Sequence, residues 1–394
     1  MRRRALLQAG SVTALAALAG CAAFSGDNDF ETWTPDEGWP LTAFGPRNTG
    51  YSQFATPPRS TPEWVQSVET DNRVHSLVAG GNSIVVGTET NVQTYDQDLE
   101  SEWTAPDGGK VAAIRDGTVY AAGHTDDGTV VHAHSLADGS RQWRTTDGDS
   151  DALTHLIPTA GAVLLTDSTI MAFSPSDGAR KWTHDTPAPV HHAVGNGALY
   201  FAATGLGKAT LRSGLDEIQH GPLKTTELLD TPWIQSPLTY IDDRLYCMVT
   251  FPSDGGVVVA FEGGREQWRT PIGVSSYTGQ AVDHDAAYAA GVRTSEDRID
   301  GGLLGAYALN AEGREQWQKE TNGWIHAPIL TGGNGTAETV LAYGGGEGGN
   351  IYAFDANDGT QLWNVETTAE VDAIAPVGSR VYAGTRDGTV FALA

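Results

Sequence analysis

Hydrophobic and polar residues alternate in short runs along most of this chain, and the runs are clearest near the C-terminus. Three of them cover residues 371–375, 378–384 and 387–393. Alternation with a period of two is typical of half-buried β-strands. The pair Asp387-Gly388, at the start of the third run, supplies the positive φ that a tight hairpin needs. The pattern therefore predicts three short antiparallel strands in succession.

A fourth strand follows in the complete repeats, and a tryptophan near its start marks each one. The marker tryptophans are separated by 39, 40, 39, 86, 49 and 46 residues. The interval of 86 is two periods of 43, so one repeat, at residues 190–229, has lost its tryptophan. Four strands in about 40–45 residues form one blade of a β-propeller. The markers are Trp64, Trp103, Trp143, Trp182, Trp268, Trp317 and Trp363.

These repeats predict an all-β fold, an eight-bladed β-propeller of four-stranded antiparallel blades. Seven blades is the alternative, if residues 190–229 are an insertion. The chain ends at Ala394 after three strands of the last blade, whereas residues 63–68 form a tryptophan strand with no repeat of its own. We expect this N-terminal strand to close the last blade and remove its open edge. An open solenoid would have no use for two complementary incomplete ends.

The chain is strongly acidic, with 24 Lys and Arg against 49 Asp and Glu and a net charge of −25. Nucleic acids and anionic lipids are bound through basic residues, so this charge argues against both as partners. Asp outnumbers Glu by 30 to 19 and there are only five lysines, a composition that resembles proteins of extreme halophiles. Dense carboxylates keep a protein hydrated and unassociated in brine. An ordinary acidic secreted protein is the alternative.

The first 38 residues have the features of an export signal and a tether. Arg2, Arg3 and Arg4 precede two leucines and an Ala/Leu stretch that ends at Cys21. This order resembles a twin-arginine leader with a lipobox, and the stretch is too short to span a bilayer. We predict a signal peptide at residues 1–20, a lipid on Cys21 and a flexible tether at 21–38. The protein would then be a monomer on the outer face of the cytoplasmic membrane of a halophilic archaeon.

The propeller is expected at residues 39–394, with a lead-in segment at 39–59. Residues 353–363 resemble the tryptophan-docking motif of quinoprotein dehydrogenases, with Asp358 in place of a threonine. The resemblance extends over about residues 64–394 and implies that each tryptophan packs between blades, beside a glycine turn of its neighbour. It also implies a structural role for the turn glycines, which are Gly139, Gly178, Gly264, Gly313 and Gly359. The lead-in, with Trp39-Pro40 and residues 48–51, resembles the N-terminal segment of exported PQQ-like repeat proteins.

The catalytic features of that family are not all present. Its alcohol-oxidising members use a disulfide between adjacent cysteines, a tryptophan floor and calcium ligands, whereas this chain has only Cys21 and Cys247. The resemblance therefore favours the non-catalytic branch, which includes the propeller lipoprotein of outer-membrane barrel assembly. We expect a lipid-anchored module without cofactor that binds a protein or glycan at the cell surface. The alternative is an alcohol or sugar dehydrogenase that uses PQQ and calcium.

A candidate ligand site lies on the first strands, which line the central channel of a propeller. Aligning the repeats places eight residues at one equivalent position, and seven of them are polar. Blades seven, eight and one are neighbours across the closure, so we predict a metal site of His75, His326 and Asp372. A hydrated channel that binds nothing specific is the alternative. The eight residues are His75, Ala112, Thr154, His191, Gln235, Thr278, His326 and Asp372.

Three further features have simpler interpretations. His132 and His134 share a strand face, where a satisfied half-buried pair is favoured over a metal site. Residues 126–128 and 242–243 are expected to form hairpin turns, with calcium binding as the alternative. Cys247 lies in an apolar strand and is expected to be a buried small hydrophobe.

Overall fold

The computed structural model describes residues 33–394, except 148–152, 154, 167–168, 186–190, 203–205, 212–217, 223–232, 235–237, 252–254, 263–264, 275, 296–297, 334 and 347. The predicted leader, Cys21, most of the tether and Gly264 therefore lie outside the described residues, as do Thr154 and Gln235. No helix within the described part of the chain is long and apolar enough to cross a membrane.

The chain forms eight sheets of strands in sequence order, preceded by two short strands, β1 (Tyr51–Ser52) and β2 (Trp64–Glu69). Blade 1 contains β3 (Val74–Gly80), β4 (Ser83–Thr88), β5 (Asn91–Asp96) and β6 (Ser101–Pro106). Blade 2 contains β7 (Val111–Arg115), β8 (Thr118–Thr125), β9 (Gly128–Ser135) and β10 (Arg141–Asp147). Blade 3 contains β11 (His155–Pro158), β12 (Val163–Thr166), β13 (Thr169–Phe173) and β14 (Arg180–Asp185). Blade 4 contains β15 (His191–Gly195), β16 (Ala198–Ala202), β17 (Leu206–Leu211) and β18 (Ile218–Pro222).

The second half of the chain continues the series. Blade 5 contains β19 (Trp233–Ile234), β20 (Thr239–Ile241), β21 (Arg244–Phe251), β22 (Gly255–Glu262) and β23 (Arg265–Pro271). Blade 6 contains β24 (Ser276–Val282), β25 (Ala286–Ser295), β26 (Arg298–Ala308), a 3₁₀ turn (Leu309–Ala311) and β27 (Arg314–Thr321). Blade 7 contains β28 (Ile329–Thr331), β29 (Thr339–Gly346), β30 (Gly348–Asp355) and β31 (Gln361–Thr367). Blade 8 contains β32 (Val371–Val377), β33 (Arg380–Thr385), β34 (Thr389–Leu393) and β2.

The prediction of eight antiparallel blades is confirmed, including blade 4, which is the repeat without a marker tryptophan. The predicted closure is confirmed as well, because β2 pairs antiparallel with β34. The first strands of neighbouring blades contact one another, as β3 does with β7 and with β32. They therefore surround the central channel.

Burial follows from the packing of blades face to face. The inner strands have both faces covered, and all four residues of β12 are buried. The outer strands are more exposed, as in β27, where Trp317 is buried but the three residues before it are exposed. This arrangement explains why the inner strands are nearly continuous apolar runs and the outer strands are polar.

The repeat tryptophans bind the blades to one another. A Cβ atom on the turn glycine of the next blade would lie 2.4–2.7 Å from the indole in four cases, so only glycine fits there. The pairs are Trp103 with Gly139, Trp143 with Gly178, Trp268 with Gly313, and Trp317 with Gly359. Trp182 is half-buried against the blade 3 core, and Trp363 donates its Nε1 hydrogen to the carbonyl oxygen of Pro58 at 2.6 Å.

Trp64 does not occupy the position of the other repeat tryptophans. In the fourth strand of blade 7, Trp363 lies opposite Ala353. In β2, a β-bulge falls between Trp64 and Gln66, and Gln66 lies at the corresponding place opposite Ala392. Trp64 is 52% exposed. The spacing of 39 residues to the next tryptophan does not reveal this shift, because a two-residue offset is smaller than the variation among repeats.

Candidate functional site

A strap of chain, residues 33–58, covers one end of the channel and bonds to every blade within one residue of the end of its first strand. Blade 3 is reached by Trp33, whose Nε1 hydrogen is donated to the carbonyl oxygen of Pro158 at 2.7 Å. The other seven blades are joined through backbone groups: Trp39 to Ala79, Pro40 to Ile114, Pro46 to Val194, Arg47 to Tyr240, Thr49 to Val282, Gly50 to Leu330 and Thr56 to Gly378. We call this the strap end, and the opposite end, where the first strands begin, the mouth.

The lead-in residues that resemble those of exported PQQ-like repeat proteins make contacts that hold the strap on the propeller. Asn48 is buried in the left-handed conformation at φ 53°, and its side chain donates to the carbonyl oxygen of His192. Gly50 has φ 62°, and a Cβ there would lie 2.7 Å from the Cβ of Ala281. The Tyr51 hydroxyl donates to the carbonyl oxygen of Gly332 at 2.9 Å. The strap also begins earlier than predicted, because residues 33–38, expected in the tether, contact the propeller.

At the mouth, three of the aligned polar residues occupy the same point of their strands. A β-bulge in blades 1, 6 and 8 leaves His75, Thr278 and Asp372 as the extra residue of the first strand. Bulges re-aim side chains and are frequent beside binding sites. The strands at Ala112 and His191 pair without a bulge, and His326 follows the bridge between Ile325 and Gly344.

Four charged residues and one histidine from three blades meet at the mouth in what we call the seam cluster: Arg73, His326, Glu370, Asp372 and Arg386. Asp372 of blade 8 accepts hydrogen bonds from Arg73 of blade 1, at 2.7 Å from Nε and 2.9 Å from Nη2. Arg386 donates to Glu370 and lies 3.4 Å from Asp372. The cluster therefore joins the last blade to the first at the seam where the ring closes.

Burial governs the protonation of this region. It lowers the pKa of His326 and of His191 to about 4. Burial, and then the charge of Arg73, lower the pKa of His75. Burial and the neighbouring Asp372 raise the pKa of Glu370. The imidazoles are thus uncharged at neutral pH, while the two carboxyl groups face two guanidinium groups.

The structure changes the composition of the predicted metal site. Among the described residues, the ligating atoms of His326, Glu370 and Asp372 lie within 4.8 Å of one another, and His75 is not part of this group. Nε2 of His326 is buried there without a hydrogen-bond partner. One nitrogen and two carboxylates suit a divalent cation, but both carboxyl groups already have an arginine as counter-ion. A cation would therefore have to displace those arginines.

The other residues that the sequence offered as possible ligands lie within the blades. His132 and His134 are buried and bond to the carbonyl oxygens of Gly108 and Gly139 at 2.8 and 2.9 Å. Residues 126–127 and 242–243 connect strands as hairpin turns. Cys247 is fully buried, and burial raises its pKa to about 12. These residues lie in the strands and turns of the blades. The seam cluster makes the mouth the candidate site.

Closed blades joined by tryptophan–glycine docking define this protein as a propeller of PQQ-like repeats. Residues 100–301 and 300–394 match the family described as outer membrane protein assembly factor BamB. The chain belongs to that family.

Two relatives carry the same description. The protein from Bordetella pertussis is 27% identical over 344 residues, which cover 82% of this chain and 81% of the relative. The protein from Burkholderia pseudomallei is 26% identical over 351 residues, which cover 83% and 86%.

Solved structures show the likeness of the fold. BamB from Moraxella catarrhalis superposes with a TM-score of 0.63 at 15% identity, over 85% of this chain and 98% of that one. Quinohemoprotein alcohol dehydrogenase from Comamonas testosteroni gives 0.65 at 12% identity, over 91% and 80%. The same architecture thus occurs in an assembly factor and in an enzyme, so the fold alone does not fix the function.

Proposed function

We propose that this protein is a non-enzymatic scaffold of the cell envelope that binds a protein partner at the mouth of its propeller. The family match over residues 100–394 carries the proposal, because that family is described by a role in protein assembly. The relatives are described as factors for the assembly of outer membrane proteins, which supports a place in the envelope. The lipid predicted on Cys21 would hold the protein there, on the outer face of the membrane.

The mouth has the chemistry of a binding surface. Arg73 and Arg386 have side chains that are 41% and 49% exposed, while Asp372 beneath them is only 4% exposed. Guanidinium groups that are held from below and open to solvent above can pair with carboxylates of a partner. In a chain of net charge −25, these two arginines place positive charge at a defined position on the surface. An acidic segment of a protein is therefore a better fit than an uncharged glycan.

The competing function is that of a quinoprotein dehydrogenase. It rests on the tryptophan docking and on the fold shared with the alcohol dehydrogenase. The chain has no pair of adjacent cysteines, and Cys247 is buried in β21. We therefore prefer the scaffold.

An assay of purified protein in high salt, with PQQ and calcium added, distinguishes the two functions. The scaffold predicts no stoichiometric uptake of quinone and no dye reduction with alcohols or sugars. Quinone uptake at one equivalent together with turnover would overturn it. The anchor has its own test, since Cys21→Ser should release folded protein into the medium, and continued membrane retention would refute the lipid.

A further inference from the structure

The chain enters the propeller at the strap end, close to the channel axis. Trp33 is the first described residue, and its indole bonds to Pro158 at the end of the first strand of blade 3. The same ring lies under the guanidinium of Arg115, 5.8 Å from the ring centre to Cζ. Four residues later, a carboxylate oxygen of Glu37 accepts the Gly81 amide hydrogen at 3.0 Å. The described chain thus begins at a fixed point on this face.

The length of the tether limits where the membrane can be. Twelve residue steps separate Cys21 from Trp33, which is about 43 Å at full extension. If the strap end faces the membrane, only a small part of that length is needed. If the mouth faced the membrane, the tether would have to cross the blade and then pass down its side.

The second path uses nearly all of the available chain. Crossing from the first to the fourth strand takes three strand spacings, about 14 Å. Passing down the side of a blade as long as β3, which has seven residues, takes about 23 Å more. Side chains on the rim lengthen the path further. The tether would be taut, at a high cost in conformational entropy.

We propose that the lipid on Cys21 holds the strap end toward the membrane and directs the mouth, with its seam cluster, into the aqueous compartment. This orientation rests on the proposed anchor and adds the direction from which a partner arrives. The partner segment that reaches the mouth is then a water-exposed part of a protein, and the strap shields the other end of the channel.

Two exposed residues at opposite ends of β4 provide matched reporters. Asn82 precedes β4 on the strap end, and Glu89 follows it at the mouth. Single-cysteine variants Asn82→Cys and Glu89→Cys can be labelled with the same fluorophore, because Cys247 is buried and its thiol, with a pKa raised to about 12, does not react. The labelled, lipidated proteins are bound to vesicles that carry a nitroxide on the lipid headgroup.

The orientation predicts quenching several-fold stronger at residue 82 than at residue 89. Gln267→Cys, on the exposed outer strand of blade 5, should give an intermediate value. Equal quenching at residues 82 and 89, or stronger quenching at 89, would overturn the proposal. Failure of the anchor is a distinct result, because the protein with Cys21 and the Cys21→Ser variant would then bind vesicles equally.

Discussion

The indole of Trp317 lies against Gly359 of the next blade, so closely that a Cβ on that glycine would be 2.7 Å from the ring. Nε1 of the same tryptophan donates to the carbonyl oxygen of Ala356 at 2.8 Å. The ring is thereby fixed by one hydrogen bond and by the missing side chain of a glycine. Contacts of this kind join one blade to the next.

Gly359→Ala should destabilise the propeller by about 1–3 kcal/mol more than an alanine at an unobstructed glycine, because the methyl group displaces the indole. Gly117→Ala is the matched control, since Gly117 has φ 71° against 68° for Gly359 but no atom within 4 Å of the point where its Cβ would lie. Both substitutions include the strain of positive φ, so their difference isolates the docking contact. Denaturant unfolding measures both, and equal losses would contradict the docking role.

The repeat is predictable from the sequence because tryptophan, glycine and alternation recur with a period. The seam between blades 8 and 1 is not predictable in this way, because other residues replace the docking tryptophan and glycine there. Gln66 takes the tryptophan position, and Leu99 adopts the left-handed conformation at φ 58° in the turn between β5 and β6. Ion pairs and hydrogen bonds replace the indole at this seam, including the bond from the Tyr382 hydroxyl to the carbonyl oxygen of Gln97 at 2.8 Å.

Arg73→Ala should therefore loosen the seam. It leaves the carboxyl group of Asp372, whose side chain is 4% exposed, without its bidentate partner, at a cost of about 1.5–3 kcal/mol for the lost charged hydrogen bonds. Arg269→Ala is the control, because its pair with Glu266 lies within one outer strand and is 44% exposed on the arginine side. Such surface pairs contribute about 0–1 kcal/mol. Similar losses for both variants would show that the seam pair has no special role.

Stability should fall as the pH drops from about 6.5 toward 4. The pKa of His326 is about 4 in the folded protein and about 6.5 in the unfolded chain, so the unfolded state binds more protons in this window and is favoured by acid. The groups facing His326 are Asp372, Arg73, Arg386 and Glu370. His326→Gln should flatten the decline of the melting temperature between pH values of about 7 and about 5.

Part of the decline should remain in His326→Gln, because His132, His155 and His191 are also buried with lowered pKa values. An unchanged decline in His326→Gln would contradict a buried neutral imidazole at this position.

Divalent cations should bind the seam cluster weakly, in competition with its arginines. Arg386→Ala removes a guanidinium that faces Glu370 and Asp372, so the affinity for Zn²⁺ should rise at least about tenfold, or about 1.4 kcal/mol. Glu370→Gln should abolish binding, and His75→Ala should not change it. Calorimetric titration of dialysed protein measures all three variants. Loss of binding in His75→Ala would favour the metal site predicted from the sequence.

Alignment of the repeats is sufficient to bring His326 and Asp372 together, because equivalent positions on neighbouring first strands are neighbours in space. It misses Glu370, which stands two residues before Asp372, since Glu370 precedes the strand and the alignment compares one position only. That the strap contacts all eight blades could not be predicted from the sequence, for a different reason. Most of its bonds join backbone groups, and these leave no periodic pattern of side chains in the sequence.

Binding of a protein partner at the mouth can be examined in intact cells by site-specific photo-crosslinking. A photoreactive residue at position 89 should give one crosslinked partner, and the reversal of charge in Arg73→Glu/Arg386→Glu should remove it. The same residue at position 82 or 267 should give little. Crosslinks of equal strength from all three positions, or a product at position 89 that survives the charge reversal, would show that the partner does not bind through the arginines of the mouth.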